Sequence, residues 1–420
     1  MIQDVQGLAV TTDSPQAVEV INQFIDQALT YGCEAEATIL KAIDVDEDCA
    51  IAQAYAAAYY LSQENWAGQV RAKPYLKKAL AGVARVSRRE QLYIQGIHAW
   101  GQGQIERAIG YHVALVQEFP QDLLAVQQAQ YHYFYQGDSQ GLLNVALTAQ
   151  PMLYQTPLHD SLLAFGLEQC HQFSQAEALG RRATELRRHN PWAHHAVAHV
   201  LDAQGRHPEA VAWMTTYADT WGDCNSMLFT HNWWHVALAY LALGETATVL
   251  RLYDSHVWGR ARKHTPKDQV GAISLLLRLD LAGVEVGSRW RSLARPLQLR
   301  LAEQALPFQD LHYVYALARA ENLNAAHTMI EHMVSHGHSL NKPNQHLWLK
   351  LAVPAAKGLV AHAQGDWERA IARLRPVLPH LYRLGGSHTQ QALFQSVYRH
   401  AVGQQDRLTQ RFTLLSRALA

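Results

Sequence analysis

Short turn signals recur along this chain at a nearly constant interval, and that interval constrains the fold more than any other feature. They fall near residues 63–66, 101–104, 136–139, 171–174, 204–207, 243–246, 282–285, 320–324, 364–367 and 402–405. The early intervals are about 34 residues and the later ones about 39, the length of one helix–turn–helix hairpin. Strand signals are poor between the turns, where Ala, Leu, Gln, Glu and Arg dominate. A hairpin of this length cannot bury its apolar side alone and does so by stacking on the next one. The 420 residues therefore need no division into separate cores. The expected architecture is all-α, a single α-solenoid over residues 1–420. Residues 1–50 form an atypical N-terminal cap, 87–283 the best-formed repeats and 284–420 the C-terminal repeats. Residues 286–307 fit the period least well and predict an irregular connection.

Two stretches show the packing rule inside a hairpin. In VPAAKGLVAHAQGDWERAIARLRPVL, Gly358 marks the close approach of the two helices, Gly365-Asp366 the turn and Ala370 the small contact on the second helix. YIQGIHAWGQGQIERAIGYHVAL repeats the arrangement with Gly96, Gly103 and Ala108. Larger side chains there would hold the backbones apart. Shared offsets in two independent units are those of tetratricopeptide-like helical hairpins.

Composition narrows the function classes. Lys+Arg and Asp+Glu balance at 36 each, so no basic excess exists to grip phosphates and no nucleic-acid partner is expected. Cys33, Cys49, Cys170 and Cys224 are scattered without C-x-x-C spacing, which predicts free thiols in a reducing compartment. The N-terminus lacks a basic stretch followed by an apolar core, and no apolar run reaches the ~20 residues of a membrane helix. The expectation is a cytoplasmic protein with no membrane partner.

Several stretches carry a resemblance in order from Ser87 to Ala318: SRREQLYIQGIHAW, FPQDLLAVQQAQYHYFYQGD, AFGLEQ, PWAHHAVAHVLDAQGR, CNSMLFTHNWWHVALAYLALGE, LYD, ISLLLRLDLAGVEVGSRW and PFQDLHYVYALA. With them the chain resembles the tetratricopeptide repeat protein 38 family, the pairing of AHV with HNWWH being its specific part. The resemblance implies the helical-hairpin fold and brings no established reaction with it. His194 departs from the pattern, standing where an aliphatic residue is expected.

The unusual entries in the composition are 24 His and 11 Trp, and they concentrate in one place. His195/His199 and His231/His235 are two His-x-x-x-His pairs, each setting both imidazoles on one helix face. The pairs lie 36 residues apart (231 − 195 and 235 − 199), close to one repeat, which predicts neighbouring helices. Counting from each turn glycine, Trp192, His195, His199 and Asp202 fall on the concave face, with His231, Trp234 and His235 on that face or its edge. His159, also 36 residues before His195, falls off this frame and is a weaker member.

Neutral imidazoles converging in a partly dehydrated groove suit Zn²⁺, Cu or Fe. Asp202, Asp254, Asp268 and Asp310 are candidate carboxylates to complete or orient such a shell. The H-E-x-x-H signature is absent, because Ala196-Val197 and Asn232-Trp233 fill the gaps, so the nearest general base of a zinc protease is missing. Cys224, just ahead of the helix carrying His231, is a candidate nucleophile with Asn225 or Asn232 as orienting group. Trp192 and Trp234 are placed to stack a ligand, whereas Trp213, Trp221 and Trp233 suit helix packing. Arg278 and Arg289-Trp290 are more distant candidates for an anionic group, and His312 for the groove. His332, His336 and His338 look like surface or helix-end residues.

Two functions follow. One is a binding module holding a peptide, a partner protein or a small molecule in a His/Trp-lined groove. The other is a metal-assisted hydrolase with His195, His199, His231 and His235 as ligands, or a Cys224/His enzyme.

Overall fold

The structure is a computed structural model and describes residues 2–153 and 155–419. Among them the fold is all-α apart from one two-residue hairpin, β1 (Ile2–Gln3) against β2 (Ala9–Val10). Packing divides the chain into two compact units. The first comprises residues up to Glu245 together with Arg260–Thr265, and the second Thr246–Gly259 and the residues from Pro266 onward.

The first unit contains α1 (Pro15–Leu29), α2 (Ala35–Val45), α3 (Ala50–Leu61), α4 (Trp66–Gly82), α5 (Arg88–Gly101), α6 (Ile105–Glu118), α7 (Leu123–Gln136), α8 (Ser139–Ala149), α9 (Pro157–Gln169), α10 (Phe173–Leu186), α11 (Pro191–Ala203), α12 (His207–Tyr217) and α13 (Ser226–Ala242). From α3 to α12 these are successive antiparallel hairpins stacked side by side. The turn inside each hairpin contains a residue in the left-handed region: Glu64, Gly103, Gly137, His171 and Gly205. After two of these turns a side chain caps the next helix, Asn65 accepting from Gly68 N at 2.7 Å and Asp138 from Gly141 N at 2.8 Å. The small-residue contacts are tight. A Cβ at Gly96 would lie 2.8 Å from His112 Cε1, and one at Gly180 2.6 Å from Val197 Cγ2.

The N-terminal segment runs over the first helices of four hairpins, α3, α5, α7 and α11. Gln6 Oε1 accepts from Leu123 N (3.0 Å) and Glu90 accepts from Thr11 N (2.9 Å). Phe24 packs on Tyr55, and Gln127 Nε2 donates to Ala28 O (3.4 Å). Asp26 forms a two-pronged ion pair with Arg187 at 2.7 and 3.0 Å. Tyr31 then stacks on Trp192, and Gly32 pairs in an antiparallel bridge with Cys224. Val18, Ile21, Phe24 and Ile25 of α1 are buried in the same core as α3, α5 and α7.

The second unit contains α14 (Thr246–Leu252), α15 (Pro266–Leu281), α16 (Arg289–Leu297), α17 (Pro307–Arg319), α18 (Leu323–Ser339), α19 (Lys342–His346), α20 (Val353–Ala363), α21 (Trp367–Leu374) and α22 (His388–Leu419). The α20/α21 hairpin has Gly358 against Leu374, where a Cβ would come to 2.8 Å of Cγ. Residues 286–307 form α16, a 3₁₀ turn at Gln298–Arg300 and an irregular stretch before α17. The turn expected near 402–405 is a correction: α22 runs through it without a break. A single Gly403 costs a helix only about 1 kcal/mol relative to Ala. Burial of Phe394, Val397 and Ala401 on the same helix outweighs that cost. No helix among the described residues is long and apolar enough to cross a membrane.

Candidate metal centre

The four histidines singled out by spacing come together inside the first unit. Helix α11 starts at Asn190, whose side chain accepts from Ala193 N (3.3 Å) and donates to Pro157 O (3.0 Å), fixing the helix against the start of α9. Helix α13 starts at Asn225, which caps it through Leu228 N (3.0 Å). One ligand atom from each of His195, His199, His231 and His235 lies within 4.8 Å of all the others. His195 Nε2 stands 3.1 Å from His199 Nε2 and 3.1 Å from His231 Nε2. Nitrogens of a tetrahedral shell at Zn–N ~2.0–2.1 Å are spaced by ~3.3 Å, so these separations are close to those of a shared ion.

Burial favours the neutral form of two of the rings. His195 is held well below the ordinary imidazole value by desolvation, then by His199 and His231, and His231 is pushed down to about 4 by desolvation. A neutral imidazole nitrogen carries either one lone pair or one proton. His195 Nε2 faces two other Nε2 atoms, so under either assignment it is divided between two partners. A cation at the common point would engage every lone pair at once.

One carboxylate stands beside the cluster, and sequence reasoning missed it. Glu168 on α9 is buried, with Oε2 3.7 Å from His199 Nδ1. Gln169 Nε2 donates to the same Oε2. Desolvation pushes the Glu168 carboxyl up to about 8, against the lowering hydrogen bond from Gln169 and with Asp202 raising it further. The signal was available: Glu168 precedes the left-handed His171 by three residues, as Asp202 precedes Gly205. The turn frame that selected Asp202 selects Glu168 as well.

The other candidates occupy defined places. Trp192 stacks on His195 (4.4 Å between centroids, 25°), and Trp234 stacks on His231 (5.1 Å, 11°). The two indoles thus wall the imidazoles, with Trp234 fully buried. Asp202 pairs with His207 at 3.8 Å. His194 turns to the opposite side of α11, where its Nδ1 accepts from Trp221 Nε1 (3.2 Å) and its ring stacks on Tyr217. His159 donates to Ala146 O (2.9 Å) away from the cluster. Trp213 donates to His194 O and Trp233 packs edge-on to Trp221.

Cys224 is buried, and desolvation followed by Asp223 pushes its thiol up to about 12, which keeps it protonated at neutral pH. Asn225 is committed to the α13 cap, and Asn232 is buried with Nδ2 3.5 Å from Pro191 O. The remaining candidates belong to the second unit. Asp254 forms a two-pronged pair with Arg289, and Trp290 donates to Asp280. Arg278 donates to Thr389 O, and His312 Nδ1 to Phe308 O. His332 bonds Leu301 O and His336 packs on Trp348. Asp268 and Asp310 are buried, and desolvation holds the Asp310 carboxyl well above its usual range.

No protein-family model matches the chain. Among solved structures it is similar to the Rap protein complexed with competence and sporulation factor, at 14% identity over 78% of this chain and 99% of that chain, with a TM-score of 0.46. It is also similar to the apo form of RapI (10% identity, 94% and 99% covered, TM-score 0.29) and to the P58(IPK) TPR domain (9%, 76% and 99%, TM-score 0.22). At these scores the fold assignment rests on the helices themselves.

Proposed function

We propose that this chain is a metal-binding helical-repeat protein, with one first-row transition ion, Zn²⁺ foremost, held by His195, His199, His231 and His235. The observation that carries the reading is the approach of His195 Nε2 to both His199 Nε2 and His231 Nε2 at 3.1 Å, in a largely buried cluster whose four ligand atoms lie within 4.8 Å of one another. Four imidazoles bring no negative charge, and Glu168 supplies it from behind His199. Bound metal would draw the Glu168 proton off and leave a carboxylate oriented on the Nδ1 side of that ring, the usual arrangement of an outer-shell partner.

The same geometry favours a closed centre over hydrolysis. A catalytic zinc site keeps a position for water, whereas four protein ligands fill a tetrahedral shell. Glu168 stands on the far side of His199 from the cluster, where it orients a ligand and does not reach a metal-bound water. Cys224, as a neutral buried thiol, adds no nucleophile.

Peptide or partner binding is the second reading, and one observation favours it. The face of the first helices already accepts the N-terminal hairpin and the residues after it, through Leu123 N and Glu90. Assignment to the tetratricopeptide repeat protein 38 family belongs to the same proposal, since AHV contains His199 and HNWWH contains His231 and His235. A reducing, cytoplasmic setting fits the four free thiols.

Elemental analysis of the purified chain tests the metal reading. About one equivalent of a transition metal per chain is expected, lost in the His199→Ala/His235→Ala double variant. A metal-free protein that takes up neither Zn²⁺, Cu²⁺ nor Fe²⁺ on addition would overturn it.

A further inference from the structure

The turn between α1 and α2 sits where a cover for the histidine cluster would have to sit. Tyr31 stacks on Trp192 (5.0 Å, 28°), which in turn stacks on His195 (4.4 Å, 25°), so three rings lead from the turn to a ligand imidazole. The backbone of the turn grips the other ligand helix. Tyr31 O accepts from Asn225 N at 2.6 Å and Cys33 N donates to Asp223 O at 2.9 Å, both at the start of α13. One short turn therefore holds α11 through an indole and α13 through its cap.

Two features mark it as the part that opens. Tyr31 has φ 56°, a left-handed conformation that a bulky aromatic residue adopts only under tertiary constraint. Such residues cluster at clamps and switch regions. The apolar part of α1 is buried in the core, so the whole segment does not detach. Cys33 in the turn is exposed, and just before it the last turn of α1 is clasped by the ion pair of Asp26 with Arg187, whose side chains are 48% and 31% exposed.

We propose that the α1–α2 turn, keyed by Tyr31, is a lid that controls metal exchange at the histidine centre. The proposal rests on the metal reading above. Tyr31 is a positioning residue: it acts through Trp192 and Asn225 and does not touch the ion. When the turn lifts, Trp192 loses its outer partner, the α13 cap loses its backbone acceptor, and the ligand pairs are free to separate. When it closes, the stack and the two backbone bonds hold them in register.

The test is the rate at which excess EDTA extracts metal from the Zn²⁺-loaded full-length chain. Tyr31→Ala is expected to keep one equivalent at equilibrium without chelator and to release it at least tenfold faster. Tyr31→Phe, which keeps the stacking ring, should release it at the wild-type rate. Arg187→Ala removes only the half-exposed clasp and serves if Tyr31→Ala does not fold; it too should accelerate release. Wild-type rates in Tyr31→Ala, or in Arg187→Ala where the first variant is unfolded, would overturn the lid while leaving the metal site standing. A wild-type chain that never retains metal would overturn both.

Discussion

The Nδ1 atom of His199 lies 3.7 Å from Glu168 Oε2, and both side chains are at most 2% exposed. Desolvation pushes this acid up to about 8, and a metal on the proposed cluster would reverse that preference. Glu168→Gln keeps the size and removes the charge. Its Zn²⁺ affinity, measured by competition with a chromogenic chelator, is expected to fall by about 10–100-fold, the usual cost of losing an outer-shell partner. An unchanged affinity would remove Glu168 from the centre.

Gly180 on α10 meets Val197 on α11, between the residues that carry the His195/His199 pair. A Cβ at Gly180 would sit 2.6 Å from Val197 Cγ2, and a β-branched side chain in a helix has little rotamer freedom to yield. Gly180→Ala is expected to destabilise the fold by about 1–3 kcal/mol, as other overpacked sites do. Adding Val197→Ala should recover part of the loss. Urea midpoints of the two single variants and the double variant measure the coupling.

Arg89 and Asp122 form an ion pair that is almost fully buried, at 2.7 Å, with Tyr55 Oη accepting a second Arg89 hydrogen bond at 2.5 Å. Asp122 also caps α7 through Ala125 N. Arg89→Ala leaves a carboxylate buried without its counter-ion and is expected to cost about 3–5 kcal/mol. The thermal midpoint of the variant checks it. A small change would mean that water reaches Asp122 once the guanidinium is gone.

Acid should unfold this protein through its histidines. Burial holds His112 down to about 3, His312 to about 4 and His362 to about 3. Folded values lie below the unfolded value of about 6.5, so the unfolded chain takes up more protons between them. The stability these neutral rings confer is present above pH ~6.5 and lost as pH falls toward each folded value, by up to about 1.4 kcal/mol per pH unit per ring. His112→Leu should flatten this dependence between pH 6.5 and 4 in urea titrations. Among the described residues the buried ring nitrogens of His112 find no hydrogen-bond partner, so the same variant should also be more stable at pH 7.

The turn interval and the small residues at Gly96 and Gly358 determined the helical hairpins directly, because they record constraints that act within one repeat. The i, i+4 spacing of His195/His199 and of His231/His235 likewise placed each pair on one helix face. The sequence could also have yielded Glu168, since its offset from His171 repeats that of Asp202 from Gly205. Other features depended on contacts that no local pattern encodes. Tyr31 reaches Trp192 across more than 150 residues of sequence, and the helix through 402–405 continues because its apolar face is buried. Above all, tertiary packing decided that the imidazoles turn inward and lose their water. Spacing fixes the direction of a side chain on its own helix, whereas burial and the identity of the facing groups arise only when the helices pack.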